Sequence, residues 1–206
     1  DLEPLVERLR AADEADVGPL TEAILEAHSS TRERLKDRAR FARRLLQVVG
    51  DARSVVDVGG GVCALMFPFE RAPRLERYLA LDRDRAATAA VGAFAARRPE
   101  PRLVGERWSL DQGWSTRPER HDVALLFKII PVIARQAPAA LDILAKTPAR
   151  RLVLSGSRVA LAKKSSIEAR ERARIDRWIA EHGFVPTGER FELEEEFFVV
   201  VERPEG

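Results

Sequence analysis

The chain holds one cysteine, one methionine, one tyrosine and three histidines in 206 residues. A single thiol, Cys63, excludes a disulfide framework and any zinc site built on cysteine. His28, His121 and His182 lie far apart in sequence and have no metal-ligand spacing, so no metal is expected. No run of about 18 apolar residues occurs, so no membrane span is expected. No signal peptide opens the chain, which points to a soluble cytoplasmic protein. The first residue is Asp1 rather than Met, which reads as a trimmed N-terminus. Lysine is scarce as well: five of the 35 basic residues are Lys and the others are Arg. Against 33 acidic residues the net charge is only +2, so charge alone does not announce a nucleic-acid partner. Arginine forks match phosphate and stack on bases. A GC-rich genome or a thermophile habit gives the same excess.

What is present is a globular composition. The hydrophobic fraction is 45% and the charged fraction 33%, enough for a packed core and too apolar for a disordered chain. The length suits one domain with a small appendage, placed here as a helical extension over 1–50 and a main domain over 51–206. Leu2, Leu5 and Leu9 keep helical spacing, 11–18 reads as a polar break, and Leu20, Ile24 and Leu25 mark a second helix. Ser30 followed by Glu33 is a capping-box pattern that predicts a helix from there to about Val49. Residues 32–44 of it hold seven basic and two acidic side chains. Strands and helices then alternate. Strands are predicted at 54–58, 77–81, 102–105, 122–127 and 151–154. Helices are predicted after the glycines at 59–61 and at 86–97, 132–146 and 167–182. A closing pair of strands is predicted at 184–191 and 196–202. This is an α/β fold with a seven-stranded, mostly parallel sheet.

In such sheets ligands bind beyond the carboxyl ends of the strands. Asp57, Gly59, Gly60, Asp82 and Asp111 all end or follow predicted strands. Glycines let the backbone approach a ligand where a Cβ would clash. The full dinucleotide pattern fails at Ala64 and the P-loop spacing is absent, which leaves an adenosine-type ligand not led by phosphate. The bland alternative is a plain glycine turn. Asp82, 25 residues after Asp57, is placed to accept both hydroxyls of a ribose. Asp111 is placed to take an adenine amino group or is a loop carboxylate. Lys128 ends an apolar strand, where Lys is seldom buried without a partner; the alternative is a snorkelling strand-end lysine. Arg158 leads into a basic, hydroxyl-rich stretch with Lys163 and Lys164, which reads as a phosphate contact or a solvated loop. No nucleophile with a supporting base, and no paired carboxylates in a pocket pattern, are found, so the chemistry is assigned to a cofactor.

Two stretches carry a resemblance. His28-Ser29-Ser30-Thr31-Arg32-Glu33-Arg34-Leu35 and Leu126-Phe127-Lys128-Ile129-Ile130-Pro131 resemble motifs of the Arm-type aminoglycoside-resistance 16S rRNA methyltransferases, which use S-adenosyl-L-methionine (SAM). The likeness runs from about Leu20 to the C-terminus. It implies a Rossmann-like SAM-dependent methyltransferase sheet with a shortened helical N-terminal extension. It implies that His28, Ser29, Ser30, Thr31, Arg32 and Arg34 meet the methionine end of SAM. Asp57, Gly59 and Gly60 would form the turn, Asp82 would hold the ribose, and Asp111 and Gln112 would meet the adenine. Phe127 would pack beside the adenine, and Gln136 joins the same set. Lys128 and Arg158 would hold the flipped target nucleotide as the catalytic pair. Arg32, Arg34, Arg38, Arg158, Lys163 and Lys164 would touch RNA. The chain departs from the family where Gly59-Gly60-Gly61 replaces Ala-Cys-Gly, and in residues 156–162, where Arg158 alone matches clearly. The implied reaction is methylation of N7 of the decoding-site guanine in the 30S subunit, by a monomer. Transfer to a small molecule or another RNA, or SAM binding without catalysis, are the alternatives.

Overall fold

A computed structural model of the chain describes residues 2–97, 102–116, 118–159 and 167–204. The chain falls into two compact units, Asp1–Ser109 and Leu110–Gly206. The first holds three parallel strands, β1 (Ser54–Val58), β2 (Arg77–Asp82) and β3 (Arg102–Arg107). In their register Asp57 faces Ala80 and Val58 faces Leu81. Both neighbours of Asp57 on β1, Val56 and Val58, are fully buried, as expected for a strand covered on both faces.

Among the described residues five α-helices complete the first unit. Helix α1 (Glu3–Ala11) buries Val6 and Leu9, and packs against α5 (Arg85–Ala95). Arg97 donates to the carbonyls of Leu9, Arg10 and Ala12, closing the C-terminal end of α1. Helix α2 (Glu14–Ala27) begins earlier than the expected polar break allows, because the Asp13 side chain caps the Asp16 amide. Helix α5 is alanine-rich and lies close on β3. A Cβ on Gly105 would sit 2.7 Å from the Thr88 carbonyl.

Three expectations need correction here. The single helix expected over 30–49 is two, α3 (Ser29–Leu35) and α4 (Arg38–Val49). Between the buried Arg34 and Phe41 no side chain is buried, and the helix breaks at the charged residues Lys36 and Asp37. The capping box does not form. His28 is the N-cap residue of α3, with no side-chain cap bond, and the Ser30 hydroxyl bonds the His28 ring. The helix expected after the glycine turn is also different. Two short 3-10 turns, Cys63–Met66 and Phe69–Arg71, flank Pro68, and all of 60–69 is buried. A proline there removes an N–H and disfavours the helical conformation of the residue before it.

The second unit holds β4 (His121–Phe127) and β5 (Ala149–Ser157), which are parallel. The closing strands β6 (Val185–Glu192) and β7 (Glu196–Glu202) run antiparallel, with β7 beside β5. A Cβ on Gly156 would lie 2.6 Å from the Phe197 ring, so the β5–β7 contact requires glycine there. The helix expected over 132–146 is two, α6 (Ile129–Gln136) and α7 (Leu141–Ala145), parted by a 3-10 turn at Pro138. Helix α8 (Glu168–Glu181) buries Ile175, Trp178 and Ile179. The strand order is β3-β2-β1-β4-β5-β7-β6, a mixed seven-stranded sheet.

Candidate functional site

In the first unit β1, β2 and the α2–α3 junction meet at a glycine turn. Asp57, next to last on β1, is buried, and its Oδ2 accepts a hydrogen bond of 3.0 Å from the Tyr78 hydroxyl of β2. Its Oδ1 has no hydrogen-bond partner among the described residues. Burial pushes this carboxyl up to about 7, against the pull of the Tyr78 bond and the Arg34 charge. The turn passes directly over it. A Cβ on Gly60 would lie 2.3 Å from both Asp57 oxygens. Only glycine passes there.

The turn is pinned to β2. The Gly59 amide donates to the Leu81 carbonyl at 2.7 Å. The Gly61 amide donates to Asp82 Oδ2 at 2.8 Å, and the Asp84 amide to Asp82 Oδ1 at 2.8 Å. Two backbone donors thus fix the Asp82 carboxylate, and each oxygen keeps a lone pair for a ligand hydroxyl. Gly61 has φ +59°, and a Cβ there would lie 2.4 Å from His28 Cε1. The imidazole of His28 therefore lies against the turn. The Ser30 hydroxyl and His28 Nδ1 are 2.8 Å apart. Burial holds the His28 pKa below its usual value, although Asp82 and Asp84 pull it upward. Arg34 is buried. It donates to Cys63 Sγ at 3.5 Å and its guanidinium lies 5.4 Å from the Phe41 ring centre.

The second unit carries a different cluster. Lys128 has φ 56°, the sole positive φ outside glycine among the described residues. Its amide donates to the Ser155 hydroxyl at 2.9 Å, which holds it in this strained conformation. The Ser155 hydroxyl in turn donates to Glu196 Oε1. The Lys128 ammonium lies 3.9 Å from Glu196 Oε2, with side chains 18% and 2% exposed. Arg158 is held by acids. Its Nε donates to Glu168 at 2.8 Å, its Nη1 to the Leu193 carbonyl at 2.9 Å, and its Nη2 lies 3.6 Å from Glu192. These bonds raise the Arg158 pKa and lower that of Glu168.

Of the residues singled out in the sequence, His28, Ser30, Arg34, Asp57, Gly60 and Asp82 come together in the first unit. Thr31 is buried and spends its hydroxyl on the Leu25 and His28 carbonyls, pinning the α2–α3 turn. Ser29 and Arg32 are exposed on α3, and Gly59 is exposed on the turn. Arg38 pairs with Glu22. In the second unit Asp111 and Gln112 lie exposed on a 3-10 turn, Leu110–Gln112. Phe127 is buried edge-on to Phe198, with ring centres 5.5 Å apart, and Gln136 is exposed at the end of α6. Lys163 and Lys164 lie outside the described residues. Sequence reading missed Tyr78, Ser155 and Glu196. The available signals were the chain's one tyrosine in an apolar strand, and a glutamate opening the apolar run 196–201. Among the described residues no acid, histidine and cysteine cluster is arranged to hold a metal, and no helix is long and apolar enough to cross a membrane.

A seven-stranded sheet closed by an antiparallel strand pair, with a glycine turn after β1 and an acid ending β2, is the fold of the SAM-dependent methyltransferases. Residues 2–201 match the family Ribosomal RNA methyltransferase (FmrO), and the chain belongs to that family. The resemblance read from the His28 and Lys128 motifs is borne out by that match. Among solved structures, the 16S rRNA methyltransferase RmtF in complex with S-adenosyl-L-homocysteine is similar, with a TM-score of 0.72 and 24% identity over 98% of this chain and 74% of that one. The 16S rRNA methylase ArmA is similar with a TM-score of 0.70 and 20% identity over 98% and 97% of the two chains. An rRNA methylase from Escherichia coli gives 0.71 and 18% over 98% and 77%. No curated protein matches the sequence.

Proposed function

We propose that this chain transfers the methyl group of SAM to N7 of the decoding-site guanine of 16S rRNA in the 30S subunit, and so gives aminoglycoside resistance. One observation carries the reading: a backbone-fixed Asp82 carboxylate, a turn without room for a Cβ and a buried Arg34 lie together at the end of β1. These groups suit a ligand with a ribose, a close-lying backbone contact and a carboxylate. Asp82 holds the ribose hydroxyls. His28, Ser29, Ser30, Thr31, Arg32 and Arg34 serve the methionine end, with Thr31 acting through the turn it pins. Asp111 and Gln112 meet the adenine, Phe127 packs beside it, and Gln136 completes the set.

SAM supplies an electrophilic methyl group on a sulfonium. N7 of guanine offers a lone pair and carries no proton, so the reaction asks for no general base. The protein's task is position and exclusion of water. A guanine in a helix must first leave the stack, at about a few kcal/mol. Lys128 holds the flipped nucleotide, and Arg158 joins it by exchanging Glu192 for a phosphate. Arg32, Arg38, Lys163 and Lys164 serve the RNA backbone, whereas Arg34, expected there too, is buried at the glycine turn and is out of reach of a phosphate. The methylated N7 carries a positive charge where a drug's ammonium groups must sit, which repels the drug. The enzyme acts as a cytoplasmic monomer.

A second reading, transfer to another acceptor, is favoured by the acid clamp on Arg158, which spends that guanidinium inside the protein. Expression in a drug-sensitive bacterial host separates the two. Under our reading, primer extension on the host's 16S rRNA, after borohydride and aniline cleavage at 7-methylguanine, stops at one decoding-site guanine, and the host grows in aminoglycoside. An unmodified guanine and an unchanged drug response, with the protein folded and abundant, contradict it.

A further inference from the structure

Tyr78 is the one tyrosine of the chain and is fully buried. Its ring stands edge-on to Phe67 and Phe69, with centres 5.3 Å and 5.6 Å away. Both come from the segment that follows the glycine turn. The ring is therefore held in place, and its hydroxyl is fixed on Asp57 Oδ2 at 3.0 Å. The other oxygen of Asp57 lies under the turn without a donor among the described residues. A buried carboxylate oxygen without a donor makes the anion costly until a positive charge comes near.

We propose that Tyr78 is a positioning residue of the cofactor site, acting through Asp57, and that binding of cationic SAM releases the Asp57 proton to solvent. This rests on the reading that the turn after β1 receives SAM. In the step the carboxyl O–H bond breaks, the proton goes to buffer, and the carboxylate stays behind facing the positive charge of the ligand.

The groups acting on Asp57 are Arg34 from α3 and Tyr78 and Asp82 from β2. Arg34 and Cys63 act on Tyr78, whose hydroxyl is pushed well above its ordinary value and so stays a donor. His28 faces the same turn at Gly61. Burial dominates at Asp57 and sets its carboxyl at about 7. Affinity for SAM then climbs with pH up to about 7 and levels above it.

The test is calorimetric titration of the full chain with SAM, between about pH 5.5 and 7.5, in buffers of different ionisation enthalpy. About one proton leaves per SAM bound at the acid end, and fewer above neutrality. Tyr78→Phe removes a bond that favours the charged form, so the pH at which affinity levels off rises by about one unit while affinity at high pH is kept. A purely structural role weakens binding equally at every pH and overturns the proposal. In Asp57→Asn, with its fold confirmed by circular dichroism, SAM binds without proton release. Release that persists in Asp57→Asn assigns the proton to His28 and overturns the proposal, as does binding by the unaltered chain with no proton exchanged. Failure of the unaltered chain to bind SAM at any pH overturns the function reading itself, and this inference with it.

Discussion

The two units bury a carboxylate in opposite ways. In the first, Asp57 has one oxygen bonded to Tyr78 and the other without a partner among the described residues. In the second, Glu196 takes the Ser155 hydroxyl on one oxygen and faces the Lys128 ammonium with the other. Both acids are buried, at 1% exposure each. The difference lies in the company they keep. Glu196 is balanced by the protein itself, so its cluster is built to hold Lys128 still. Asp57 is left for a charge that arrives from outside. A buried acid completed by the chain serves geometry, and one left incomplete serves a ligand.

The largest effect should come from breaking the second cluster at its working end. Lys128→Ala is expected to lower methyl transfer by about three orders of magnitude, through lost positioning of the nucleotide. Calorimetry should find SAM affinity within about threefold of the parent. Equal loss of transfer and SAM binding would place Lys128 in the cofactor site instead.

Next comes the partner. Glu196→Ala removes the acid that faces a largely buried lysine, at a stability cost of about 3–5 kcal/mol. Thermal unfolding should show it as a lowered Tm. Adding Lys128→Met to that variant should recover most of the loss. A Tm unmoved by Glu196→Ala would mean that the cluster is solvated and the comparison fails.

The first cluster can be sharpened through pH. The Asp57 carboxyl goes from an ordinary 3.8 to about 7 on folding. Its folded form binds the proton more tightly, so its stabilising contribution is complete below about pH 4 and is lost as pH rises through 7, by a few kcal/mol on the order of the shift. Asp57→Asn removes that dependence. The stability of the variant relative to the parent should therefore improve steadily between those limits in urea unfolding. A constant difference would show that Asp57 does not titrate there.

The smallest effect is expected at the surface. The Arg38–Glu22 pair is 40% and 47% exposed. Arg38→Ala should change stability by no more than about 0.5 kcal/mol. As a phosphate contact, its loss should lower the salt slope of 30S binding by about one. An unchanged slope would remove Arg38 from the RNA interface.

Much of this was legible in the sequence where the signal is contiguous. The apolar runs ending in Val58 and Phe127 are strands because their residues are buried on both faces. The glycine turn and Asp82 were visible because they adjoin such runs. The helix breaks at Lys36–Arg38 and Pro138 were missed because helical spacing was carried past charged residues and a proline. The partners of the site were hidden by distance along the chain. Tyr78 meets Asp57 across 21 residues, and Glu196 meets Ser155 across 41. Only strand register brings them together, and register is not written in any one segment.

The most direct measurement is transfer of a radiolabelled methyl group from SAM to purified 30S subunits, with the modified base mapped by primer extension after borohydride and aniline cleavage at 7-methylguanine. Label confined to N7 of one decoding-site guanine is the result predicted here. Label spread over other nucleotides, or none on 30S subunits while calorimetry records SAM binding, would contradict it.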